Sequence, residues 1–218
     1  GTSGGGFALM AEHLGLLGMT ETPLVIAECQ RPGPSTGLPT RSEQSDLKFV
    51  LSASQGEFPR IVIAPGDPEE CFRWGFEAFN LAEKYQTLVI LLSDKHLSES
   101  YWTLEPFDGG SMAVDRGLLL DEEALASMGE YKRYSLTESG VSPRSRPGLP
   151  SGVFVTTGDA HDEFGHITEE EETVVAHHDK RLGKMRDLDF SAHGATLHGE
   201  TDADITLVAP KPEFVYLP

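Results

Sequence analysis

The sequence has little positive charge and little cysteine. Its 218 residues include 17 Lys and Arg against 35 Asp and Glu, so the formal net charge is −18. Nucleic-acid binding needs clustered cations that neutralise phosphates, and this balance excludes that class of partner from our expectations. The only two cysteines, Cys29 and Cys71, are too few for a disulfide framework or a cysteine zinc site. We therefore expect a cytoplasmic protein, in a reducing compartment.

Long apolar runs are also missing. No stretch approaches the roughly 20 apolar residues of a membrane-spanning helix, and the N-terminus lacks the pattern of a signal peptide. Neither a phosphate-binding P-loop nor a Ser-His-Asp order with a nucleophile elbow occurs. The chain begins Gly1-Thr2-Ser3-Gly4-Gly5-Gly6 without an initiator methionine. From this we expect the interior of a larger polypeptide.

Short apolar runs alternate with helical patterns along the first half of the chain. Hydrophobic residues make up 39% of the sequence, which suffices for a packed core. Between Gly6 and Met19, apolar residues recur at helical spacing. Three later runs have the character of buried parallel strands: Pro23 to Cys29, Arg60 to Pro65 and Thr87 to Asp94. This alternation predicts an α/β fold with a parallel sheet and helices on both faces.

The helix after the second predicted strand has the clearest start signal. Asp67 is suited to cap it, Pro68 to occupy its first position and Glu70 to close a capping box. Helical spacing predicts one core-facing stripe on this helix, made of Cys71, Gly75, Ala78, Phe79 and Ala82.

Composition changes after Asp108. Residues 109–150 are rich in Gly, Pro and Ser and have the character of a linker. We therefore divide the chain into residues 1–108, a linker and an incomplete second unit over residues 151–218. In that unit the predicted elements are a strand over Gly152 to Thr157, a helix over Ile167 to Leu188 and a strand over Ile205 to Ala209.

Arg31 stands at the exit of the first predicted strand, and open parallel sheets bind ligands just beyond such ends. It heads a loop stiffened by prolines, in which Ser35 and Thr36 supply two hydroxyls. A planar guanidinium beside hydroxyl donors suits a carboxylate. The alternative is a surface arginine that pairs with Glu28 or Glu43. Spacing alone leaves both interpretations open.

Two further groups of residues invite functional interpretations. Thr2, Ser3 and Gly4 lie in a turn of small residues that would let a backbone approach a ligand, although a tight strand-to-helix turn explains them equally well. The chain is also rich in histidine, but the spacing is not that of a zinc protease, so we expect solvated loop histidines and no metal site. These histidines are His161, His166, His177, His178, His193 and His198.

Several motifs together resemble one family. They are Thr2-Ser3-Gly4, Gly18 to Pro23, Gln30 to Thr40, Gly66 to Glu70, Ser93-Asp94, Tyr131 to Tyr134, Gly140 to Arg144 and Gly158 to Glu169. In these blocks the sequence closely resembles the large (alpha) subunit of 2-oxoacid:ferredoxin oxidoreductases, which are thiamine-diphosphate enzymes. The likeness covers nearly the whole chain, and the block from Gln30 to Thr40 is its most specific part. Gly5 departs from it, since the family usually has proline there.

The resemblance implies a fold and a set of roles. Residues 1–108 would be the latter part of a pyrimidine-binding domain, and residues 151–218 the start of a domain similar to the transketolase C-terminal domain. Arg31 and Thr36 would hold the carboxylate of a 2-oxoacid, with Ser35 beside them, and Thr2 to Gly4 would lie near the cofactor. The glutamate that activates the cofactor lies upstream in relatives, so we expect no catalytic residue within these 218.

The implied reaction is coenzyme-A-dependent oxidative decarboxylation of a 2-oxoacid, with 2-oxoglutarate favoured and ferredoxin as electron acceptor. The resemblance implies a beta subunit that shares thiamine diphosphate and Mg²⁺ and carries a [4Fe–4S] cluster, because this chain has too few cysteines to hold one. It also implies a heterodimer or a dimer of heterodimers. The alternatives are a non-catalytic carboxylate-binding or scaffold subunit and another thiamine-dependent decarboxylase or transketolase relative.

Overall fold

A parallel three-stranded sheet forms the centre of the fold. The computed structural model describes residues 1–188. Its strands are β1 (Leu24–Gln30), β2 (Arg60–Ile63) and β3 (Leu88–Asp94), in the order β1-β3-β2. Gln30 and Asp94 are paired in register, so β1 and β3 end side by side. All three predicted strands are confirmed, and so is the α/β class.

Helices connect and cover these strands. In chain order they are α1 (Gly5–Ala8), α2 (Ala11–Thr20), α3 (Leu47–Ser52), α4 (Pro68–Tyr85), α5 (Lys95–Glu99), α6 (Glu122–Met128) and α7 (Glu171–Gly183), with a short 3-10 turn at Pro150–Gly152. The single helix predicted near the N-terminus is therefore two, α1 and α2. None of the helices within residues 1–188 combines the length and apolarity that crossing a bilayer requires.

Each face of the sheet has its own core. Alternate residues of a strand point to opposite faces. Ile26, Val62 and Ile90 pack with α1, α2 and α3 around Phe7 and Leu14. On the opposite face, Ile61, Ile63 and Val89 pack under α4. The same cluster contains Val141 and, near the end of the described chain, Met185.

Helix α4 begins where the sequence predicts. Asp67 Oδ1 accepts a hydrogen bond from the Glu70 amide (2.8 Å), and Glu70 Oε2 accepts one from Gly66 N (2.7 Å). The predicted core stripe is wrong in part, because the buried residues of α4 are Trp74, Ala78, Ala82 and Tyr85. Phe79 is 60% exposed. The large indole of Trp74 occupies the sheet-facing position of α4. The buried stripe is therefore rotated about the helix axis relative to the predicted one, and Phe79 lies on the solvent-facing side.

The second half of the described chain is less regular than predicted. Residues 152–157 form no strand: Gly152 ends the 3-10 turn, and residues 153–157 pair with no strand among residues 1–188. The predicted C-terminal helix exists as the shorter α7. The predicted strand over Ile205 to Ala209 lies outside the described residues. The division into domains at residues 108 and 150 stays a prediction.

Buried ion pairs attach α7 to the edge of the sheet where the strands begin. Glu21, the left-handed residue that ends α2, is fully buried. Its two carboxylate oxygens lie 2.6 Å from Lys180 Nζ and 2.6 Å from Lys184 Nζ. Arg133 donates to the Glu21 carbonyl (2.8 Å). Burial alone would raise the pKa of Glu21, but the two ammonium groups lower it to about 2.

Candidate functional site

The candidate site lies at the opposite edge, where the strands end. Thr2 pairs with β1 as a parallel neighbour, donating to Ala27 O (2.8 Å) and accepting from Cys29 N (2.9 Å). The turn that follows Thr2 therefore emerges beside the end of β1. Arg31, the residue after β1, emerges at the same edge. The structure thus brings together two segments that the sequence separates by nearly thirty residues.

Arg31 packs directly against Gly4. A Cβ atom on Gly4 would lie 3.1 Å from Arg31 Nε, so the guanidinium rests on the bare backbone of the turn. Gly4 also has a φ of +46°, a conformation that side chains disfavour. Arg31 Nε is buried and has no hydrogen-bond partner among the described residues. Within residues 1–188, Arg31 forms no ion pair with Glu28 or Glu43 within 4.0 Å, so the surface-pair alternative is not what the structure contains.

Glu28 lies beneath this contact. It is a fully buried residue of β1, and its Oε1 accepts a hydrogen bond from Gly4 N (2.8 Å). Its other oxygen, Oε2, is buried without a partner among the described residues. Burial raises the pKa of Glu28 to about 7; the Gly4 amide opposes this rise, the charge of Asp46 adds to it and the charge of Arg31 opposes it. A carboxyl group that titrates near neutrality thus lies at the site.

Side chains at the ends of β1 and β3 hold the loop after Arg31 in place. Gln30 Oε1 accepts from the Asp46 amide (3.0 Å), and Gln44 Nε2 donates to Asp94 Oδ2 (2.6 Å). The other oxygen of Asp94 caps α5 by accepting from Leu97 N (2.8 Å). Burial raises the pKa of Asp46, against the hydrogen bond from the Arg31 amide. These contacts fix the C-terminal end of the loop, at Gln44 and Asp46, to the ends of β1 and β3.

The tip of the loop is a tight turn. Leu38 N donates to Pro32 O (3.0 Å), and Gly37 has a φ of +54°. A Cβ at Gly37 would overlap the Pro32 carbonyl, so only glycine fits there. Ser35 and Thr36 are exposed on this tip, and neither hydroxyl bonds to Arg31 within the described residues. Their predicted roles in substrate binding stay predictions.

The prediction of solvated loop histidines is wrong for three residues, since two are buried and His178 lies half-buried on α7. His161 and His177 are each 1% exposed, and their ring centroids lie 5.7 Å apart. His161 Nδ1 donates to Asp159 O (2.9 Å), which places its proton on that nitrogen. Burial lowers the pKa of both rings, that of His177 to about 4. His166 is exposed, whereas His193 and His198 lie outside the described residues.

Sequence reasoning missed most of the polar residues at this edge. The sequence predicts Glu28 only as a partner for a surface arginine, and it predicts no role for Gln30, Gln44 and Asp46. A signal for Glu28 did exist, since a lone carboxylate inside an apolar strand must be either paired or neutral. Among residues 1–188, no group of three or more His, Cys, Asp or Glu side chains is arranged to hold a metal ion.

Comparison with known proteins places the whole site in one family. The family model described as "Pyruvate flavodoxin/ferredoxin oxidoreductase, thiamine diP-bdg" matches residues 1–180. The chain belongs to this family. The matched span contains the Thr2–Gly4 turn, Arg31 and its loop, Glu28, and nearly all of α7. The family resemblance seen in the motifs is therefore confirmed.

Two relatives are named as subunit alpha or subunit KorA of such enzymes. The chain is 45% identical over 190 residues, 86% of its length, to 2-oxoacid:ferredoxin oxidoreductase 1, subunit alpha, of Sulfurisphaera tokodaii, of which it covers 29%. It is 37% identical over 166 residues, 76% of its length, to 2-oxoglutarate synthase subunit KorA of Methanothermobacter thermautotrophicus, of which it covers 42%. The chain thus spans about a third of the length of these relatives.

A solved structure agrees with the described fold. It is the 2-oxoglutarate:ferredoxin oxidoreductase from Magnetococcus marinus with 2-oxoglutarate, coenzyme A and succinyl-CoA bound. The TM-score is 0.79 at 40% sequence identity, and the match covers 85% of this chain and 32% of that one. The parallel sheet with helices is therefore the fold of a thiamine-diphosphate-binding domain in this family of oxidoreductases.

Proposed function

We propose that this chain is part of the alpha subunit of a 2-oxoacid:ferredoxin oxidoreductase that decarboxylates a 2-oxoacid with coenzyme A as co-substrate. The observation that carries this proposal is the placement of Arg31, whose guanidinium lies on Gly4 at the strand ends. Its Nε is buried and has no partner within residues 1–188. A guanidinium in that state has hydrogen-bonding capacity left for a carboxylate. Thr36 and Ser35, on the same loop, would supply hydroxyl donors to the same group.

In this proposal Arg31 acts by orientation. Holding the acid group fixes the neighbouring keto carbon relative to the cofactor, which removes much of the entropic part of the barrier. Thiamine diphosphate supplies the carbanion chemistry that breaks the bond to the carboxylate. We place the Thr2–Gly4 turn near it, since Gly4 has no side chain to obstruct a ligand. Arg31 Nε and Glu28 Oε2, which have no partner among the residues that the structure describes, leave polar contacts available.

Partners complete the proposed enzyme. We assign Mg²⁺, the remaining thiamine contacts and the [4Fe–4S] cluster to a beta subunit, because two cysteines cannot ligate such a cluster. Ferredoxin would dock on that subunit, since the net charge of −18 repels an acidic carrier. We place the complex in the cytoplasm. Cross-linking that located ferredoxin mainly on the alpha subunit would contradict the docking assignment.

We favour 2-oxoglutarate as substrate. Support comes from the relative named 2-oxoglutarate synthase and from the solved structure named with 2-oxoglutarate. A panel of 2-oxoacids, assayed with the purified alpha–beta complex and a viologen acceptor, tests this preference. Equal kcat/KM for pyruvate and 2-oxoglutarate would contradict it.

The role of Arg31 is tested in the same complex. Arg31→Ala is expected to reduce kcat/KM roughly 30- to 1,000-fold, which corresponds to a loss of about 2–4 kcal/mol in transition-state stabilisation. The reason is that the desolvated carboxylate of the substrate loses its charged partner. Arg31→Lys should recover only part of this, since an ammonium cannot bind both oxygens in one plane. Arg41→Ala removes an exposed cation beyond the same loop tip and is the matched control. Unchanged kinetics in Arg31→Ala would remove the proposed function of this site.

A further inference from the structure

We propose that Glu28 is a positioning residue for substrate binding, which acts on Arg31 through the Gly4 backbone and weakens binding when it ionises. This inference rests on the proposed function, because it takes Arg31 as the residue that holds the substrate carboxylate. It assigns a role to a side chain that lies under the site and would not itself touch the substrate.

The geometry links three residues in series. Glu28 Oε1 accepts the Gly4 N–H at 2.8 Å, which fixes the turn to β1. The side of Gly4 where a Cβ would stand faces Arg31, at 3.1 Å from Nε to that position. The Gly4 backbone is therefore held between the carboxyl group below and the guanidinium beside it. A shift of this backbone would move the surface on which Arg31 rests.

Charge supplies the second step. Glu28 Oε2 and Arg31 Nε are both buried and both lack partners within residues 1–188. An ionised Glu28 adds a negative charge next to a guanidinium that has to attract the negative carboxylate of a substrate. That charge attracts Arg31 and repels the substrate, and buried charges are poorly screened. Substrate should therefore bind best while Glu28 is neutral.

The groups that face Glu28 support a transition near neutral pH. Burial raises the pKa of Glu28 to about 7, and the negative charge of Asp46 adds to this rise. The Gly4 amide and the positive charge of Arg31 act in the opposite direction. The adjacent residue of β3 is the uncharged Leu92. Glu43 acts less directly, since its charge raises the pKa of Asp46.

The experiment measures KM for 2-oxoglutarate from pH 6 to 8.5 in the complete alpha–beta complex. In the unmodified enzyme, KM should rise about tenfold through this range as Glu28 loses its proton. Glu28→Gln keeps an oxygen that can accept from Gly4 but cannot ionise, so its KM should stay low and change less than about twofold. The effect should appear in KM, with kcat changing much less.

Two variants separate the role in positioning from a general loss of structure. Glu43→Gln removes an exposed carboxylate from the same loop and should keep the pH-dependent rise of KM. Gly4→Ala pushes a methyl group against Arg31 while leaving Glu28 in place. Its KM should be raised at every pH, and the relative rise with pH should remain. If Glu28→Gln fails to assemble, an unchanged KM in Gly4→Ala would still overturn the inference, because the Gly4 backbone would then not position Arg31.

The outcomes distinguish the inference from the proposed function. If Glu28→Gln shows the same rise of KM with pH as the unmodified enzyme while Arg31→Ala is impaired, Glu28 has no such role and the proposed function stands. If Arg31→Ala has unmodified kinetics, the proposed function and this inference both fail. A pH-independent KM in Glu28→Gln, with Glu43→Gln behaving as the parent, supports the inference.

Discussion

Glu21 and Glu28 are both fully buried, yet they lie at opposite edges of the sheet in opposite electrostatic states. Glu21 is ionised between two lysines, and its pKa is lowered to about 2. Glu28 has one backbone hydrogen bond, its other oxygen has no partner in the described part of the chain, and its pKa is raised to about 7. Where the strands begin, the buried charges are paired with one another. Where the strands end, buried polar atoms have no partner among the described residues. This difference separates a structural cluster from a candidate binding site.

The same substitution at both glutamates should give the largest contrast. Glu21→Gln leaves Lys180 and Lys184 buried without a full counter-charge, and we expect the free energy of unfolding to fall by about 3–5 kcal/mol. Glu28→Gln at pH 8 should be neutral or slightly stabilising, because it removes an uncompensated buried charge. Urea unfolding of the purified complex measures both.

A combined variant checks the cause of the Glu21 effect. Replacing Glu21 by Leu together with Lys180 and Lys184 by Met removes all three charges, and much of the lost stability should return. If the triple variant is as unstable as Glu21→Gln, unpaired charge is not the reason. Equal losses at Glu21 and Glu28 would break the comparison between the two edges.

A glycine in the loop after Arg31 should give the next largest effect. Gly37→Ala places a Cβ against the Pro32 carbonyl at a φ of +54°, so we expect a loss of about 1–3 kcal/mol in stability and a raised KM for the 2-oxoacid. Gly75→Ala is the control, because no atom lies within 4 Å of its added methyl group on α4. That variant should be slightly more stable than the parent. A wild-type KM in Gly37→Ala would show that the loop tip does not shape the site.

The two edges also differ in how much of them the sequence predicts. The strands, the Asp67 cap and the exposed position of the loop after Arg31 follow from local patterns that need few neighbours. Glu21 and Lys180 are separated by 159 positions, and no local pattern pairs them. The stripe of α4 was misplaced for a similar reason, since the burial of Trp74 depends on the shape of the sheet beneath it. What local chemistry specifies was predictable, whereas what tertiary burial specifies was not.

Burial has the same consequence for the histidines and for Glu28. The sequence shows a polar residue, and its polar character predicts solvent exposure. His161, His177 and Glu28 are instead buried, and burial favours the neutral form of each. It therefore lowers the pKa of the two histidines and raises that of Glu28. The role proposed for Arg31 could be inferred from sequence because its position after a strand is local information. The role proposed for the carboxyl group of Glu28 beneath it depends on the fold.

Stability as a function of pH should have opposite signs at the two glutamates. Glu21 has a folded pKa below the ordinary value of 4.5, so its contribution exists above pH 4.5 and is lost as pH falls toward 2. Glu28 has a folded pKa above 4.5, so its contribution is present below pH 4.5 and is lost as pH rises through 7. We expect Glu28→Gln to gain on the order of 2 kcal/mol relative to the parent between pH 4.5 and 8.

The matched comparison of the parent with Glu28→Gln is needed because His177 acts over part of the same range. Its folded pKa of about 4 means that its contribution is present above pH 6.5 and is lost as pH falls toward 4, opposite in direction to Glu28. Thermal midpoints of both proteins across the range give the difference directly. A difference that does not change with pH would show that folding does not raise the pKa of Glu28.

The smallest predicted effect is that of the hydrogen bond between the loop and β3. Gln44→Ala removes the bond from Gln44 Nε2 to Asp94 Oδ2, and we expect about 1 kcal/mol of lost stability and a KM raised a few-fold. Gln55→Ala is the matched control, since its amide bonds to Glu12 (3.0 Å) on the exposed surface. Both variants lose a bond from an amide to a carboxylate, so a similar cost in stability is expected from each. Only the loss of the bond that holds the loop should alter KM. A KM change of equal size in Gln55→Ala would show that a general loosening of the fold controls substrate binding, and not the position of the loop.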